Sequence, residues 1–401
     1  MKHVVIGASA AGLTAAKTIR TQRKEDEIVV FSTDGAVYSR CLLHKFIGGE
    51  RSVKELAFVS DNFFEANNIC WRAATTVTGV DTSAKKVLTQ GGEEGYDKLL
   101  IACGSVSTMP PIPGLKKAES VVTLRDLDDA IKIREKAVTA NKIVIIGTGL
   151  VGLDAAYGLI EIGKKPTLVD IGKTIMAASL DERSAEWYQN KFEEAGCTFL
   201  MAASIKGIEI TESSAILTLG DDRTLDADLL IVAAGVKPSV GFLDGSGIEC
   251  KRGVVVDEFM TTNVDDVYAA GDVTAISESW PAAKIQGDTA ALNMCSVRTA
   301  YDMAVGRKNS AHFFGVPSIS VGKLNAEDGE VELVREDKRR YQKLVLKDDV
   351  PVGVILLGDI SRSGFWQYMI KHKVPVAKKN PWKTSFADSY SLDNKGMYKW
   401  A

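Results

Sequence analysis

Two stretches of this chain repeat one pattern of apolar and polar positions. The first reads Lys2-His3-Val4-Val5-Ile6, then Gly7-Ala8-Ser9-Ala10-Ala11-Gly12, then Leu13-Thr14-Ala15-Ala16-Lys17. The second reads Lys142-Ile143-Val144-Ile145-Ile146, then Gly147-Thr148-Gly149-Leu150-Val151-Gly152, then Leu153-Asp154-Ala155-Ala156. A short β-branched run without polar alternation predicts a strand buried on both faces, as in a parallel sheet. The Ala- and Leu-rich run after each glycine turn predicts a helix. Each unit then returns to another apolar run, Ile28-Val29-Val30-Phe31 in one and Thr167-Leu168-Val169-Asp170 in the other. The sequence therefore predicts a strand–helix–strand unit twice over.

Punctuation between these units suggests where domains meet. Met109-Pro110-Pro111-Ile112-Pro113-Gly114 can continue neither a helix nor a central strand, which makes it a crossing between domains. A third apolar run, Leu229-Leu230-Ile231-Val232-Ala233-Ala234-Gly235, precedes a second crossing near Lys237-Pro238. From about Phe314, alternating short runs such as Lys343-Leu344-Val345-Leu346 and Val352-Gly353-Val354-Ile355-Leu356-Leu357 predict a small α+β module. The fold class expected is α/β: two Rossmann-like dinucleotide-binding domains plus a small C-terminal α+β domain. The boundaries expected are 1–112 and 238–313 for the first domain in two parts, 113–237 for the second, and 314–401 for the C-terminal domain and tail. The tail from Asn380 alternates polar and aromatic residues and predicts no element.

Composition narrows the function classes. The chain has 401 residues, 45% hydrophobic and 25% charged, enough for two or three domains with substantial cores. A formal net charge of -3 gives no electrostatic footprint for nucleic acid. No run of about 18 apolar residues suggests a membrane span, and no leader pattern is visible near the first residue. The six cysteines, Cys41, Cys70, Cys103, Cys197, Cys250 and Cys295, are scattered and include no C-x-x-C pair, so no metal site is expected. Unpaired cysteines suit a reducing compartment, and a cytoplasmic location is expected.

The glycine turns carry the first chemistry. In a Rossmann turn the first glycine makes the bend, the second lets backbone approach a pyrophosphate, and the third lets helix and strand pack closely. Phosphates then sit at the helix N-terminus, where free N–H groups and the helix dipole favour negative charge. Gly147, Gly149 and Gly152 satisfy this pattern, with Leu150 and Val151 opening the helix. Gly7 and Gly12 satisfy it with Ser9 in the middle place and Ala10 and Ala11 opening the helix. An acid about 20 residues on binds ribose hydroxyls. Asp170 is that acid in the second unit, and its charge favours NADH over NADPH. In the first unit either Ser32 or Asp34 could hold the ribose.

With these motifs on the page the chain resembles the FAD/NAD-dependent pyridine nucleotide-disulfide oxidoreductase superfamily, whose fold is glutathione-reductase-like with a C-terminal interface domain. Tyr96-Asp97-Lys98-Leu99-Leu100-Ile101-Ala102-Cys103-Gly104-Ser105 is similar to a family segment at the flavin site, with Cys103 replacing a threonine. The run Thr261-Thr262-Asn263-Val264-Asp265-Asp266-Val267-Tyr268-Ala269-Ala270-Gly271-Asp272 resembles its second FAD signature, in which Asp272 would bind the ribityl chain. Gly235 closes the segment that returns from the second dinucleotide domain. The resemblance is strongest to the branch of NADH:rubredoxin and ferredoxin reductases and nitrite-reductase flavoproteins. Arg40-Cys41-Leu42-Leu43-His44-Lys45 aligns with a ferredoxin-reductase segment beside the flavin, keeping Arg40 and Lys45 and departing at Cys41 and His44. Trp280-Pro281-Ala282-Ala283-Lys284-Ile285-Gln286-Gly287 aligns with a segment that packs against the flavin ring, through Trp280, Ala283 and Gln286.

The resemblance implies FAD and NADH (NADPH being possible) as cofactors and a small electron carrier, rubredoxin or ferredoxin, as partner. Lys45 would sit near flavin N5, paired with Asp154, which replaces a family glutamate. Cys41 divides the alternatives. It suits an NADH oxidase, peroxidase or coenzyme A-disulfide-type reductase if Arg40, His44 and Lys45 depress its pKa toward thiolate; otherwise it is a small buried residue. A third alternative is an NADH-sensing flavin-binding interaction protein. His3, His312 and His372 read as structural or solvated. Phe365, Trp366, Tyr368 and Met369 read as the apolar face of a helix, with a docking role for partner or membrane as the alternative. Monomer and homodimer both remain open.

Overall fold

The β-branched runs form the central strands of two parallel sheets. A computed structural model describes residues 1–116, 118–211, 214–302, 308–377, 380–392 and 397–400. In the first sheet the strands run in the order Val267–Ala269, Lys98–Ile101, Lys2–Ile6, Glu27–Phe31 and Cys70–Arg72, every neighbouring pair parallel. In the second the order is Thr198–Leu200, Thr167–Val169, Ile143–Ile146, Leu229–Val232 and Val121–Thr123, again all parallel. Val4, Val5, Ile145, Leu230 and Ile231 are buried, as strands covered on both faces must be. Each sheet is accompanied by a three-stranded antiparallel meander, Val77–Asp81 with Lys86–Thr89 and Gly92–Gly95 in one case and Ile205–Ile210 with Ala215–Leu219 and Thr224–Ala227 in the other.

Both glycine turns lead into helices, Ala10–Gln22 and Leu150–Glu161. The first helix lies against Trp280–Met294, and glycine is what brings them together. A Cβ on Gly287 would stand 2.2 Å from the Ala11 carbonyl oxygen. The chain passes from one sheet to the other through a short antiparallel pair, Ser105–Ser107 with Val236–Pro238, at the second crossing read from sequence.

The C-terminal module is a five-stranded antiparallel sheet ordered Lys308–Phe313, Val316–Gly322, Val350–Leu357, Arg340–Lys347 and Val331–Asp337, followed by the helix Ser363–His372. Trp366 and Met369 of that helix are buried in a core with Val321, Leu344, Val354 and Leu356. Phe365 and Tyr368 pack edge-on against Phe386, and Trp366 against Trp382, so much of the aromatic stripe is the apolar face of a packed helix. Residues 381–383 and 386–389 of the tail form short 3-10 turns.

The chain divides into two compact units, one of Met1–Ile171 and Cys197–Asp302, the other of Gly172–Gly196 with the chain beyond Asp302. The helix Glu182–Glu194 therefore groups with the C-terminal sheet, although its sequence position puts it within 113–237. Its attachment is chemical as well as apolar. Asp181 caps the helix through the Ser184 N–H and accepts hydrogen bonds from Tyr341 Oη at 2.6 Å and Lys343 Nζ at 3.1 Å. Tyr188 donates to the Val316 carbonyl at 2.7 Å. Among the described residues no helix is long and apolar enough to cross a membrane.

Candidate active site: two dinucleotide turns facing one cavity

The second turn is built as its glycines require. Gly147 has φ +107, and a Cβ there would stand 2.4 Å from the Ala233 carbonyl oxygen. A Cβ on Gly152 would stand 2.0 Å from the Gly147 carbonyl oxygen, so only glycine lets helix and strand meet. Gly149 is different. It caps the helix in an extended conformation, and nothing lies within 4 Å of a Cβ built on it. That open space, beside the exposed Leu150 and Val151, is where a pyrophosphate would approach. Asp170 Oδ2 accepts the Thr148 backbone N–H at 2.7 Å and its hydroxyl at 2.8 Å, which holds the acid against the turn. Gly235, with φ +96, has the same open surroundings.

The first turn has the same architecture. A Cβ on Gly7 would stand 2.2 Å from the Ala102 carbonyl oxygen, and one on Gly12 1.8 Å from that of Gly7. Ser9 caps the helix Ala10–Gln22 without using its side chain, and Ala10 and Ala11 are buried in its first turn. The Ser32 hydroxyl donates to the Asp34 carbonyl and accepts from Trp71 Nε1 at 2.9 Å. Asp34 accepts Tyr38 Oη at 3.0 Å on one oxygen and Arg40 Nη2 at 2.6 Å on the other. Both carboxylate oxygens thus already face protein donors.

Arg125, which no motif singled out, ties this region together. Its guanidinium holds Asp272 Oδ2 at 3.0 Å and the Ser105 carbonyl at 2.9 Å, while its own carbonyl accepts Arg40 Nη1 at 2.8 Å. A Cβ on Gly104 would stand 3.6 Å from Arg125 Nη2. Gly271, with φ +84, presents its N–H to Gln286 Oε1 at 2.8 Å. Gln286 is fully buried, yet its Nε2 has no hydrogen-bond partner among the described residues. An orphaned buried donor beside the Asp272 turn, with a helix N-terminus pressed into the sheet by two glycines, fits FAD. Trp280 and Ala283 sit in the first turn of the same helix as Gln286, Trp280 packed edge-on against Phe58.

A cavity of about 40 Å³ is lined by Arg40, Leu43, His44, Leu124, Arg125, Val151 and Asp154. It exists because the helices Leu43–Ile47 and Leu150–Glu161 touch through backbone: a Cβ on Gly158 would stand 2.6 Å from the His44 carbonyl oxygen. Asp154 lies one turn before Gly158 on the same face. It therefore faces His44, whose Nδ1 is 3.5 Å from Asp154 Oδ1.

This corrects the expected Lys45–Asp154 pair. Lys45, one residue further round the helix, points away and holds Glu50, with Nζ–Oε distances of 2.6 and 2.8 Å. Burial pushes the Asp154 carboxyl up to about 8. It pushes the His44 imidazole down to about 4, with the Lys45 charge adding to the effect. A neutral acid therefore faces a neutral imidazole at pH 7.

Of the two alternatives for Cys41, the surroundings speak against the thiolate. Cys41 is exposed by surface area, not a buried residue, yet partial loss of solvation, then Asp154 once ionised and Asp272, hold its thiol above its ordinary value, with Arg125 opposing. The cationic neighbours on which the sequence reading relied are engaged elsewhere, Arg40 by Asp34 and Lys45 by Glu50. All six cysteines are unpaired. His3 is a buried structural residue on Asp26, at 2.9 Å.

Residues 1–287 match the family model described as pyridine nucleotide-disulphide oxidoreductase. The chain belongs to that family. It is accordingly an FAD-dependent oxidoreductase that works with a nicotinamide dinucleotide. Residues 309–374 match the model of a rubredoxin NAD+ reductase C-terminal domain. The chain is 33% identical over 391 residues to the NADH-dependent phenylglyoxylate dehydrogenase subunit epsilon of Aromatoleum evansii, covering 94% of this chain and 92% of that protein. It is 28% identical over 368 residues to the NADH-rubredoxin oxidoreductase of Clostridium acetobutylicum, covering 90% and 92%. The solved NAD-dependent persulfide reductase from A. fulgidus superposes with a TM-score of 0.85 at 25% identity, over 94% of this chain and 77% of that one.

Proposed function

We propose that this family member takes a hydride from NADH and passes the electrons singly to a small redox protein of the rubredoxin or ferredoxin kind. The observation that carries this reading is the convergence at one cavity: Arg40 and His44 reach it from the first dinucleotide domain, Val151 and Asp154 from the helix that begins at the second. FAD, when bound, accepts two electrons as hydride and can return them one at a time. The chain's part is to hold the two dinucleotides end to end and to exclude water. Ser9, Ala10 and Ala11 present the first helix N-terminus to the FAD phosphates. Arg125 and Gln286 would turn to the cofactor beside Asp272. Ser32 and Asp34 both already have protein partners, so whichever holds the FAD ribose would give one of them up. Asp170 would hold the NADH ribose and disfavour a 2′-phosphate. Lys45, turned away to Glu50, would have to leave that pair to take the place beside flavin N5 that the resemblance gives it.

A protonated thiol at Cys41 speaks against the peroxidase and disulfide-reductase alternatives, which need a thiolate. The C-terminal rubredoxin-reductase match and the relatives' names support a protein acceptor. The relative named as a subunit favours a second reading of the partner, in which the acceptor is a fellow subunit of an assembly. Unpaired cysteines support a cytoplasmic site of action. Stopped-flow reduction by NADH followed by an acceptor screen tests the reading. Fast flavin reduction and faster turnover with rubredoxin than with peroxide or disulfide is the expected result; turnover confined to peroxide or disulfide overturns it.

A further inference from the structure

The His44–Asp154 contact is unusual in its charge state. Among the described residues no lysine or arginine pairs with Asp154. Arg40 and Arg125 line the same cavity, but Asp34 holds one and Asp272 the other. Lys45 holds Glu50 and stands on the far side of His44. The other groups facing the pair are the Cys41 thiol and, on the opposite helix, the Tyr157 ring, 6.2 Å from the imidazole. His44 Nδ1 is buried and, among the described residues, has no hydrogen-bond partner. A proton on Asp154 Oδ1 would supply the missing donor and leave the pair uncharged, the cheaper state for two buried groups without counter-ions.

We propose that Asp154 and His44 share one proton, held on Asp154 Oδ1 and directed at His44 Nδ1, and that this pair distinguishes reduced from oxidised nicotinamide. The inference rests on the reading that the nicotinamide end of NADH reaches this cavity. NADH brings an uncharged ring, and the neutral pair receives it without an unpaired charge. NAD+ brings a cationic ring, which is held best when the Asp154 O–H bond breaks and the proton leaves to solvent, so that the carboxylate faces the cation. When NAD+ departs, the proton returns from solvent. No electrons move in this step. His44 is a positioning residue, the acceptor that keeps the proton on the acid.

Linkage fixes the consequences. A group that ionises near pH 8 is about nine-tenths protonated at pH 7, so NAD+ binding should release ~0.9 proton there. As pH is raised toward 8, NAD+ affinity should rise about tenfold per pH unit and then level off, while NADH affinity does not rise. The test is calorimetric titration of FAD-loaded protein with NAD+ and with NADH at pH 7 in phosphate and in Tris, whose ionisation heats differ. The expected result is release of about one proton with NAD+, little or none with NADH, and none with NAD+ in Asp154→Asn. Infrared difference spectra of the wild type provide a check that needs no variant: a protonated-carboxyl band should vanish when NAD+ binds. Equal proton release for the two dinucleotides, release that persists in Asp154→Asn, or an unchanged carboxyl band would overturn the inference while leaving NAD(H) binding intact. Failure of either dinucleotide to bind would overturn the proposed function itself, and this inference with it.

Discussion

Adding one methyl group at each glycine of the second turn separates folding from binding. At Gly152 the new Cβ would stand 2.0 Å from the Gly147 carbonyl oxygen, and at Gly147 2.4 Å from that of Ala233, with φ at +107 besides. Neither neighbour is a flexible side-chain end; both are backbone, Gly147 of the strand-to-helix turn and Ala233 at the end of the neighbouring strand Leu229–Val232. Overpacking of this kind costs roughly 1–3 kcal/mol, and the left-handed backbone at Gly147 adds about 1 kcal/mol more. Gly149→Ala meets nothing within 4 Å and keeps an extended backbone that any residue adopts. Its effect on stability should be below about 1 kcal/mol, a weaker helix cap being partly offset by a less flexible unfolded chain.

The same open space is what a pyrophosphate needs, so Gly149→Ala should raise the NADH KM roughly tenfold or more, the equivalent of losing one good phosphate contact. The assay is thermal melting of the three FAD-loaded variants beside NADH saturation curves. Gly147→Ala and Gly152→Ala should melt several degrees lower, whereas Gly149→Ala should melt like wild type and bind NADH poorly. Wild-type NADH affinity in Gly149→Ala would refute the argument, because the phosphates would then not cross this turn.

The other substitutions probe separate parts of the cleft. Cys41→Ser should keep turnover with a one-electron protein acceptor within a few-fold, and alkylation of Cys41 should be slow at pH 7 and accelerate only above the ordinary thiol range; fast alkylation at neutral pH would show a thiolate. Asp170→Ala should narrow the kcat/KM preference for NADH over NADPH; an unchanged ratio would show that Asp170 does not read the ribose. Asp154 keeps in the folded state a proton that the unfolded chain loses near pH 4. Its contribution to stability therefore falls as pH rises from about 4 to about 8, by on the order of 4 kcal/mol at pH 7. His44 acts the other way, costing stability as pH falls below the ordinary histidine range toward 4. Asp154→Asn should raise the melting midpoint at pH 7 to 8 and flatten its pH dependence. Parallel pH curves for variant and wild type would place no unpaired acid there.

Much of the fold was legible because its signals are local. A β-branched run, a glycine turn and an alanine-rich helix lie within 16 residues of one another, and the structure turns both copies into parallel strands and helices. The glycines were readable because each has one physical reason to be glycine. What sequence could not show is pairing across distance. Asp154 meets His44 rather than Lys45 because Gly158, 114 residues from His44 in the chain, sets the depth at which two helices touch. Arg125 lies in Thr123-Leu124-Arg125-Asp126, with no motif to announce that it bridges Asp272 and Arg40. The helix Glu182–Glu194 reads as part of the second dinucleotide domain until Asp181 is seen to hold Tyr341 and Lys343, about 160 residues on. One signal was available for His44: it departs from the ferredoxin-reductase segment in a place where neighbours on both sides were assigned to the flavin.

The central claim is that electrons enter as hydride from NADH and leave singly to a protein. Anaerobic stopped-flow mixing of the FAD-loaded chain with one equivalent of NADH, followed by a second mix with oxidised rubredoxin or ferredoxin, tests it most directly. The flavin band should bleach rapidly and then return with two equivalents of carrier reduced per NADH, in wild type and in Cys41→Ser alike. Flavin that NADH does not reduce, or reduced flavin that reoxidises only through Cys41 and never with a carrier protein, would contradict it.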